Sequence, residues 1–443
     1  MKRLAFACLL ALASSCNLDV GAPALPNLDF ALDFCSNDTP VWFAYQNTGG
    51  DWTRVIPDAS GTFRFNATYR VAIAYVRQSG SDYHTQIIGA TNREWQDVSN
   101  ITCLEQTGSK QVNGNVVGLS GSQKAEVSMM FATSYLQPPQ TAFTLQNLPD
   151  RTLDLVASRL TLTTTTQTSD KIIIRHTINP VTGSTLPDLD FQGVEAFDPN
   201  VNTITVGDIQ ANENAGLRSD FISALGTAHV LYSTEFTASS QFQVPTVPST
   251  RTQTGDYNDM FVFANLTDGR FRGVEGFFTT SGNFDFTPDP HIGTTPTFSV
   301  VSTTPYLREH ARMSVTLAYP SAVTFFLHQQ FGQISVTDVT LMATENYVGG
   351  GSSWDLTIPD FSAVEGWNNA WGLQNGTDFT WTVTTYHTRP SLLLGAAPVD
   401  GEATVFAGRS SSPPPPALMA ALHALPGRSS LIAVRSLRAV PRP

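Results

Sequence analysis

Large apolar residues alternate with smaller or polar residues along much of this chain. Tyr69, Val71, Ile73 and Tyr75 lie two residues apart, which is the period of a β-strand that buries one face. Further segments that are typical of strands are Asn202–Val206, His229–Phe236, Met260–Asn265, Arg272–Thr279, Ala322–His328, Val336–Glu345 and Phe379–Tyr386. The pattern predicts an all-β protein. Asn212–Leu225 stays open, because apolar residues four apart suit a short helix and the same residues could extend a strand.

The composition agrees with many short strands. Glycine (32), proline (27) and phenylalanine (27) are abundant, and turn formers mixed with β-branched and aromatic residues are typical of strand-rich chains. The 443 residues are enough for roughly two to four domains. The net charge of −12 argues against nucleic acid as a partner, because phosphate binding needs a basic surface.

The first fifteen residues have the three parts of a secretory signal peptide. Lys2 and Arg3 precede nine apolar residues, and small residues precede Cys16. Nine residues are too few for a membrane-spanning helix, which needs roughly 20. Residues 1–15 are therefore predicted to be a signal peptide.

The run Leu12-Ala13-Ser14-Ser15-Cys16 resembles the lipobox of bacterial lipoproteins, with Ala13 where leucine is usual. The resemblance implies cleavage before Cys16 and diacylglycerol on its thiol, so the partner would be a membrane reached through the N-terminal lipid. By analogy with lipoprotein sorting, Asn17 implies the outer membrane or cell surface as the location. The alternative is an ordinary signal peptide with Cys16 as a free thiol.

The remaining cysteines predict one disulfide. Cys8 leaves with the signal peptide, so Cys35 and Cys103 form an even pair in an oxidising compartment. Their disulfide would close a loop of about 70 residues and contribute about 4 kcal/mol on the chain-entropy model.

Turn clusters and changes of composition divide the chain into segments. Residues 16–34 are predicted to be a lipid-anchored tether that ends in a strand near Phe30, and residues 35–108 a β-sandwich with the disulfide. Residues 109–197 form a second sandwich, and residues 198–395 one or more further β-rich modules. Residues 396–443, rich in proline and arginine, are predicted to be disordered.

The second sandwich carries a resemblance of its own. Its strands at Val112–Val116 and Ala125–Met129 are followed by Phe143-Thr144-Leu145, by Asn147-Leu148-Pro149-Asp150 and by Leu153–Ala157. These residues resemble carboxypeptidase-regulatory-like domains, which are prealbumin-type β-sandwiches, although Arg151 stands where the family has glycine. The resemblance implies a structural or adhesive role. The predicted fold is thus several immunoglobulin-like or prealbumin-like β-sandwich modules in series.

No catalytic motif is present in the sequence. Gly118-Leu119-Ser120-Gly121-Ser122 lacks the final glycine of a nucleophile elbow, no lysine follows a glycine, and no two histidines have metalloprotease spacing. The sequence therefore predicts a protein that is not an enzyme. Glu235 and Glu275 lie in predicted strands and could form the carboxyl pair of a glycan hydrolase if they face each other.

Two sets of residues are candidates for ligand binding. Asp256, Asn258 and Asp259 offer oxygen ligands in a Gly- and Thr-rich stretch, so calcium is a possible cofactor, and a plain turn is the alternative. Four tryptophans, Trp354, Trp367, Trp371 and Trp381, fall within 28 residues.

Of these tryptophans, Trp367 and Trp371 flank Asn368. Exposed indoles could stack on sugar rings while the asparagine binds hydroxyls, and burial in the core is the alternative. Three functions follow. The first is a non-enzymatic cell-envelope lipoprotein with a structural or adhesive role and envelope proteins or glycans as partners. The second is a carbohydrate-binding surface lipoprotein, and the third is a glycan hydrolase.

Overall fold

The computed structural model of the protein describes residues 27–34, 39–96, 108–130, 132–280, 282–315, 320–332 and 335–411, and the backbone of 434–440. Cys16, Cys35 and Cys103 lie outside the described residues, as does the predicted signal peptide. The predicted lipidation and the predicted disulfide therefore stay predictions.

Nearly every element in the described part of the chain is a β-strand, which confirms the predicted all-β fold of sandwich modules. The α-helices found there are short: α1 (Asn92–Gln96), α2 (Glu345–Val348) and α3 (Pro390–Leu393). The segment Asn212–Leu225 contains strand β16 (Asn214–Ile222), which pairs with a neighbour on each side. Tertiary pairing thus overrides its helix-like spacing.

One large sheet of sixteen strands passes through most of the chain. In their order across this sheet, the strands are β3 (Thr53–Arg54), β2 (Trp42–Asn47), β5 (Arg70–Ser79), β6 (Asp82–Thr91), β25 (Ser335–Thr344), β24 (Ala322–Phe331), β27 (Thr380–His387), β28 (Ala403–Ser410), β20 (Arg270–Phe278), β19 (Tyr257–Asn265), β16, β17 (Ala228–Phe236), β12 (Thr166–Ile178), β11 (Leu153–Leu162), β8 (Lys124–Met129) and β9 (Ala132–Leu136). All neighbours are antiparallel except β6 and β25. That parallel pair joins segments about 250 residues apart, such as His84 and Asp338, which are separated by 254 positions.

Four smaller sheets flank the large one. The first sheet consists of β29 (Val434–Val440), β1 (Leu28–Phe34) and β4 (Phe63–Ala67), and the second of β10 (Ala142–Leu148), β7 (Lys110–Val117), β13 (Ser184–Thr185) and β14 (Leu189–Asp190). The third consists of β18 (Ser240–Thr246), β15 (Asn200–Val206) and β21 (Phe284–Phe286), and the fourth of β22 (Thr297–Ser302), β23 (Arg308–Ser314) and β26 (Ser353–Thr357). The predicted strand near Phe30 is β1, in which Phe30 is buried.

The smaller sheets pack on the large sheet and form the sandwiches. In β2, Phe43 lies 4.9 Å (ring centroids) from Phe63 in β4, whereas the preceding residue, Trp42, belongs to the core that includes Trp354 of β26. Adjacent residues of a strand point to opposite faces, so both faces of β2 are covered. The sandwiches therefore share one sheet, and the predicted domain boundaries stay predictions.

The predicted disordered tail contains a central strand. Ala403–Ser410 form β28, which pairs with β27 on one side and β20 on the other. Phe406 and Ala407 are buried in different cores. The prediction for these residues was wrong because the proline run and the arginines that follow dominate the composition and conceal this short apolar stretch.

Candidate functional site

Aromatic side chains from distant parts of the chain meet beside β2 and β3. We call this group the indole cluster, and its members are Trp42, Trp52, Tyr306, Phe361, Trp367 and Trp371. The ring centroid of Trp367 lies 5.0 Å from Trp42, 4.8 Å from Phe361, 5.5 Å from Tyr306 and 5.4 Å from Trp371. Trp367 is thus the centre of the cluster, although its own side chain is half-buried.

Two members form the outer side of the cluster. Among the described aromatic rings, Trp371 contacts Trp42 in a tilted arrangement and Trp367 edge to face. Trp52 contacts Phe361 edge to face, at 4.9 Å and 77°. Both side chains are half-buried. Trp52 and Trp371 thus make fewer ring contacts within the cluster than Trp367 does.

Hydrogen bonds fix the loop that carries Trp367 and Trp371. The Tyr306 hydroxyl donates to the Pro359 carbonyl and accepts from the Phe361 N–H, both at 2.7 Å. Trp42 Nε1 donates to the Glu365 carbonyl at 3.1 Å. The cluster is therefore formed before any ligand arrives.

A second set of contacts fixes the end of the same loop. Thr85 Oγ1 donates to the Trp371 carbonyl at 2.7 Å. Gly372 lies against Tyr306, where a Cβ would approach the ring to 2.5 Å. Only glycine fits there without a shift of the ring, so the position of Trp371 depends on Gly372.

Polar groups border the outer indoles. Asn368, Asn369 and Glu365 are exposed. Asn368 Oδ1 accepts a hydrogen bond from the Ala370 N–H at 3.0 Å, which caps a short 3₁₀ turn. On the inner side, the Arg54 guanidinium lies 5.6 Å from the centroid of the Trp42 ring. The cluster thus combines flat apolar surface with exposed amides.

The four tryptophans that are close in sequence have different environments. Trp354 is fully buried in the core, and Trp381 in β27 packs against Phe298 at 5.7 Å. Trp367 and Trp371 join the indole cluster. Sequence reasoning missed Trp42 and Trp52, because 323 positions separate Trp42 from its hydrogen-bond partner Glu365 and no local pattern connects them.

The candidate calcium ligands do not converge. The Asp256 carboxylate accepts the N–H groups of Ala224 at 2.6 Å and Gln253 at 2.7 Å. Asn258 Oδ1 accepts the Val247 N–H at 2.8 Å, and Asp259, the next residue of β19, points to the opposite face. Among the described residues no group of three or more His, Cys, Asp and Glu side chains could hold a metal ion.

The candidate hydrolase pair is also far apart. Glu235 in β17 is exposed, Glu275 in β20 is buried, and β16 and β19 lie between them. Three strand spacings amount to about 14 Å, whereas glycosidase carboxyls lie roughly 5–9.5 Å apart. These two residues therefore do not face each other across a scissile bond.

Glu275 has other carboxyl neighbours, which we call the carboxyl seam: Asp220 in β16, Asp259 in β19 and Glu275 in β20. Asp220 is directly opposite Asp259 in the strand register. Burial and the neighbouring Asp220 raise the pKa of Asp259 well above its usual range, and burial and Asp259 do the same for Glu275. A buried seam of acids is the strongest electrostatic anomaly in the described structure.

A buried histidine lies close to two serines and a glutamate. His229 Nδ1 lies 2.9 Å from Ser128 Oγ, Nε2 lies 2.8 Å from Ser158 Oγ, and Glu126 Oε1 is 3.9 Å from Nδ1. These distances approach those of a nucleophile, base and acid. However, burial lowers the pKa of His229 to about 3 and raises that of Glu126 to about 7.

The backbone around Ser158 argues against a reactive serine. Ser158 lies within β11, opposite Glu126 on one side and Ile172 on the other, and is 0% exposed. A substrate could reach its hydroxyl only if the side chains that cover this face of the sheet moved away. The group therefore serves to satisfy buried polar atoms and to join β8, β11 and β17.

Comparison with models of known protein families and with curated proteins found no match to this chain. In the described part of the protein, none of the helices has the length and apolar character that crossing a membrane requires.

Proposed function

We propose that this protein is a non-enzymatic, lipid-anchored protein of the cell envelope with an adhesive role, and that it binds glycans at the outer side of the indole cluster. The observation that carries the proposal is the pair of half-buried indoles, Trp371 against the buried Trp42 and Trp52 against Phe361. The loop that carries Trp371 also presents the exposed Asn368. The lipobox-like run at Cys16 supports the anchor.

Glycan rings present one apolar face and a rim of hydroxyl groups. An indole supplies a large, flat apolar surface of low flexibility, and amides exchange hydrogen bonds with hydroxyls. Because hydrogen bonds already fix the loop, binding would cost little ordering of the protein. These properties favour a glycan over a charged ligand at this surface.

The carboxyl seam favours a second candidate, a glycan hydrolase, since three carboxyls are neighbours there. Against it stands their burial: Asp220, Asp259 and Glu275 are 5%, 3% and 6% exposed. A sugar would have to displace the side chains that cover this face of the sheet to meet them. Binding without catalysis therefore has the better support.

A panel of defined oligosaccharides tests glycan binding: hexaoses of β-1,4-glucose, α-1,4-glucose and β-1,4-N-acetylglucosamine, and soluble peptidoglycan fragments. We expect one class to bind the native protein and to bind W52A and W371A at least about tenfold more weakly, a loss of about 1.4 kcal/mol. Trp381→Ala is the matched control, because this half-buried indole lies outside the cluster. No binding to any class, or equal loss in W381A, would refute the glycan site.

The anchor has a separate test. Cys16→Ser should abolish metabolic palmitate labelling and release the protein from membranes. Unchanged labelling and fractionation would overturn the lipoprotein assignment and leave the glycan site to stand or fall on its own test.

A further inference from the structure

The strand register aligns three carboxyl groups in the middle of the large sheet. Asp220 in β16 is directly opposite Asp259 in β19. Asp259 is opposite Phe277 in β20, and Glu275 lies two residues from Phe277 on the same face. Like charges placed directly opposite each other destabilise a sheet, so this arrangement needs a compensating device.

The only basic side chain that acts on Asp220 or on the Asp259–Glu275 pair within the described structure is Arg218. Its Nε donates to Asp220 Oδ1 at 2.8 Å, and its side chain is 32% exposed. One guanidinium can balance one carboxylate, which leaves Asp259 and Glu275 without a counter-ion. Asp259 Oδ1 is buried and has no hydrogen-bond partner.

Other titratable groups near the seam do not supply positive charge. Glu126 and Tyr135 interact with Asp220 from β8 and β9, and Tyr386 interacts with Glu275 from β27. His229 in β17 is buried beside Arg218, and its lowered pKa keeps it neutral.

Helix α3, which packs over this part of the sheet, also supplies no positive charge to the seam. Leu392 of α3 belongs to the same hydrophobic cluster as Tyr257 and Phe277, and Arg389 before it pairs with Glu402 at 2.9 Å. The seam is therefore acidic and sealed by apolar side chains.

An ionised carboxyl in such a place loses its hydration without gaining a partner. The protonated form avoids that cost, and a neutral carboxylic acid can donate a hydrogen bond to its neighbour. Asp259 and Glu275 are close enough to interact in this way.

We propose that Asp259 and Glu275 form a proton-binding lock between β19 and β20, which holds these strands together while at least one carboxyl is protonated and weakens them when both ionise. The lock is independent of glycan binding at the indole cluster, which lies elsewhere on the sheet. It makes the fold less stable as the pH rises.

The direction of the effect follows from linkage. In the unfolded chain both carboxyls ionise near pH 4, whereas burial raises both pKa values in the folded protein. Above about pH 4 the folded state therefore binds more protons than the unfolded state. This stabilisation is complete at acidic pH and is lost as the pH rises through the folded pKa values.

Thermal unfolding of Glu275→Gln and wild type between about pH 5 and about pH 8 tests the lock. The difference in melting temperature between E275Q and wild type should shift in favour of E275Q by at least about 2 °C from the lower to the higher pH. Glu235→Gln is the matched control, because Glu235 is an exposed glutamate in the same sheet. Its melting temperature should differ from that of wild type by the same amount at both pH values. A difference in melting temperature between E275Q and wild type that does not change with pH would overturn the proposal.

A second measurement keeps the test decisive if E275Q does not fold. Proton release on denaturant unfolding, measured between about pH 5 and about pH 8, reports groups whose pKa is raised in the folded protein. His328 is such a group as well, so the difference between variants is the measure of the lock. Wild type and E235Q should release protons, and Asp259→Asn should release fewer. Release from D259N equal to that from wild type would refute the lock.

Discussion

The indole cluster and the carboxyl seam use burial in opposite ways. In the indole cluster, the buried Trp42 supports half-buried indoles that reach the surface. In the seam, the carboxyls are all buried, and Asp259 and Glu275 have no counter-ion of their own among the described residues. Side chains at a surface can contact a ligand, whereas buried carboxyl groups act on the stability of the fold. This difference is why we propose recognition for the first region and pH sensitivity for the second.

The largest expected effect is a loss of stability on removal of Trp42, the buried indole that supports the half-buried members of the indole cluster. Trp42→Ala should lower the free energy of unfolding by about 3–5 kcal/mol, because it removes a fully buried indole and leaves a cavity. Urea unfolding measures it, with Trp52→Ala as the matched variant at the outer side. Equal losses in the two variants would remove the distinction between support and surface.

An intermediate effect is expected at the seam. Arg218→Met should lower the free energy of unfolding by about 1–2 kcal/mol, a value reduced for the partial exposure of the guanidinium, because Asp220 loses its partner.

The loss in R218M should be greater at about pH 8 than at about pH 5. Burial already raises the pKa of Asp220, so an unpaired Asp220 is costly only when ionised. Urea unfolding at the two pH values measures the loss, and the same loss at both would contradict the role given to Arg218.

The smallest expected effect is on stability at the outer indole. Trp371→Ala should change the free energy of unfolding by no more than about 1 kcal/mol, since its ring contacts only Trp42 and Trp367 in the cluster. Thermal unfolding measures the stability of W371A, and the oligosaccharide panel measures binding by the same sample. A loss comparable with that of W42A would make Trp371 part of the support.

The local pattern predicted the strands well. Val71, Ile73 and Tyr75 are buried on the same face of β5, as their spacing of two indicates. The opposite face of this strand is buried as well, so the expectation of a single buried face was wrong. The pattern could not predict the partners of the strands, because β6 pairs with β25 across about 250 residues. Pairing of this kind depends on tertiary packing, which leaves no local signal.

The candidate sites follow the same rule. Trp367 and Trp371 were accessible to sequence reasoning because they are neighbours in the chain, while Trp52 joins them only through the fold. Asp259 seemed to belong to a loop with Asp256 and Asn258, but it lies in β19, and the register of that strand sets it beside Asp220. A shift of one residue would have turned it to the other face.

The most direct test of the glycan site is ¹⁹F NMR of protein labelled with 5-fluorotryptophan, which should give one resonance for each of the seven tryptophans. Single Trp→Phe variants assign the resonances, and the oligosaccharide that binds best in the panel is the titrant. We expect saturable shifts of the Trp52 and Trp371 resonances, with those of Trp354 and Trp381 unchanged. Shifts of Trp381 alone, or no shift at Trp52 and Trp371 at saturating ligand, would contradict the proposed glycan site.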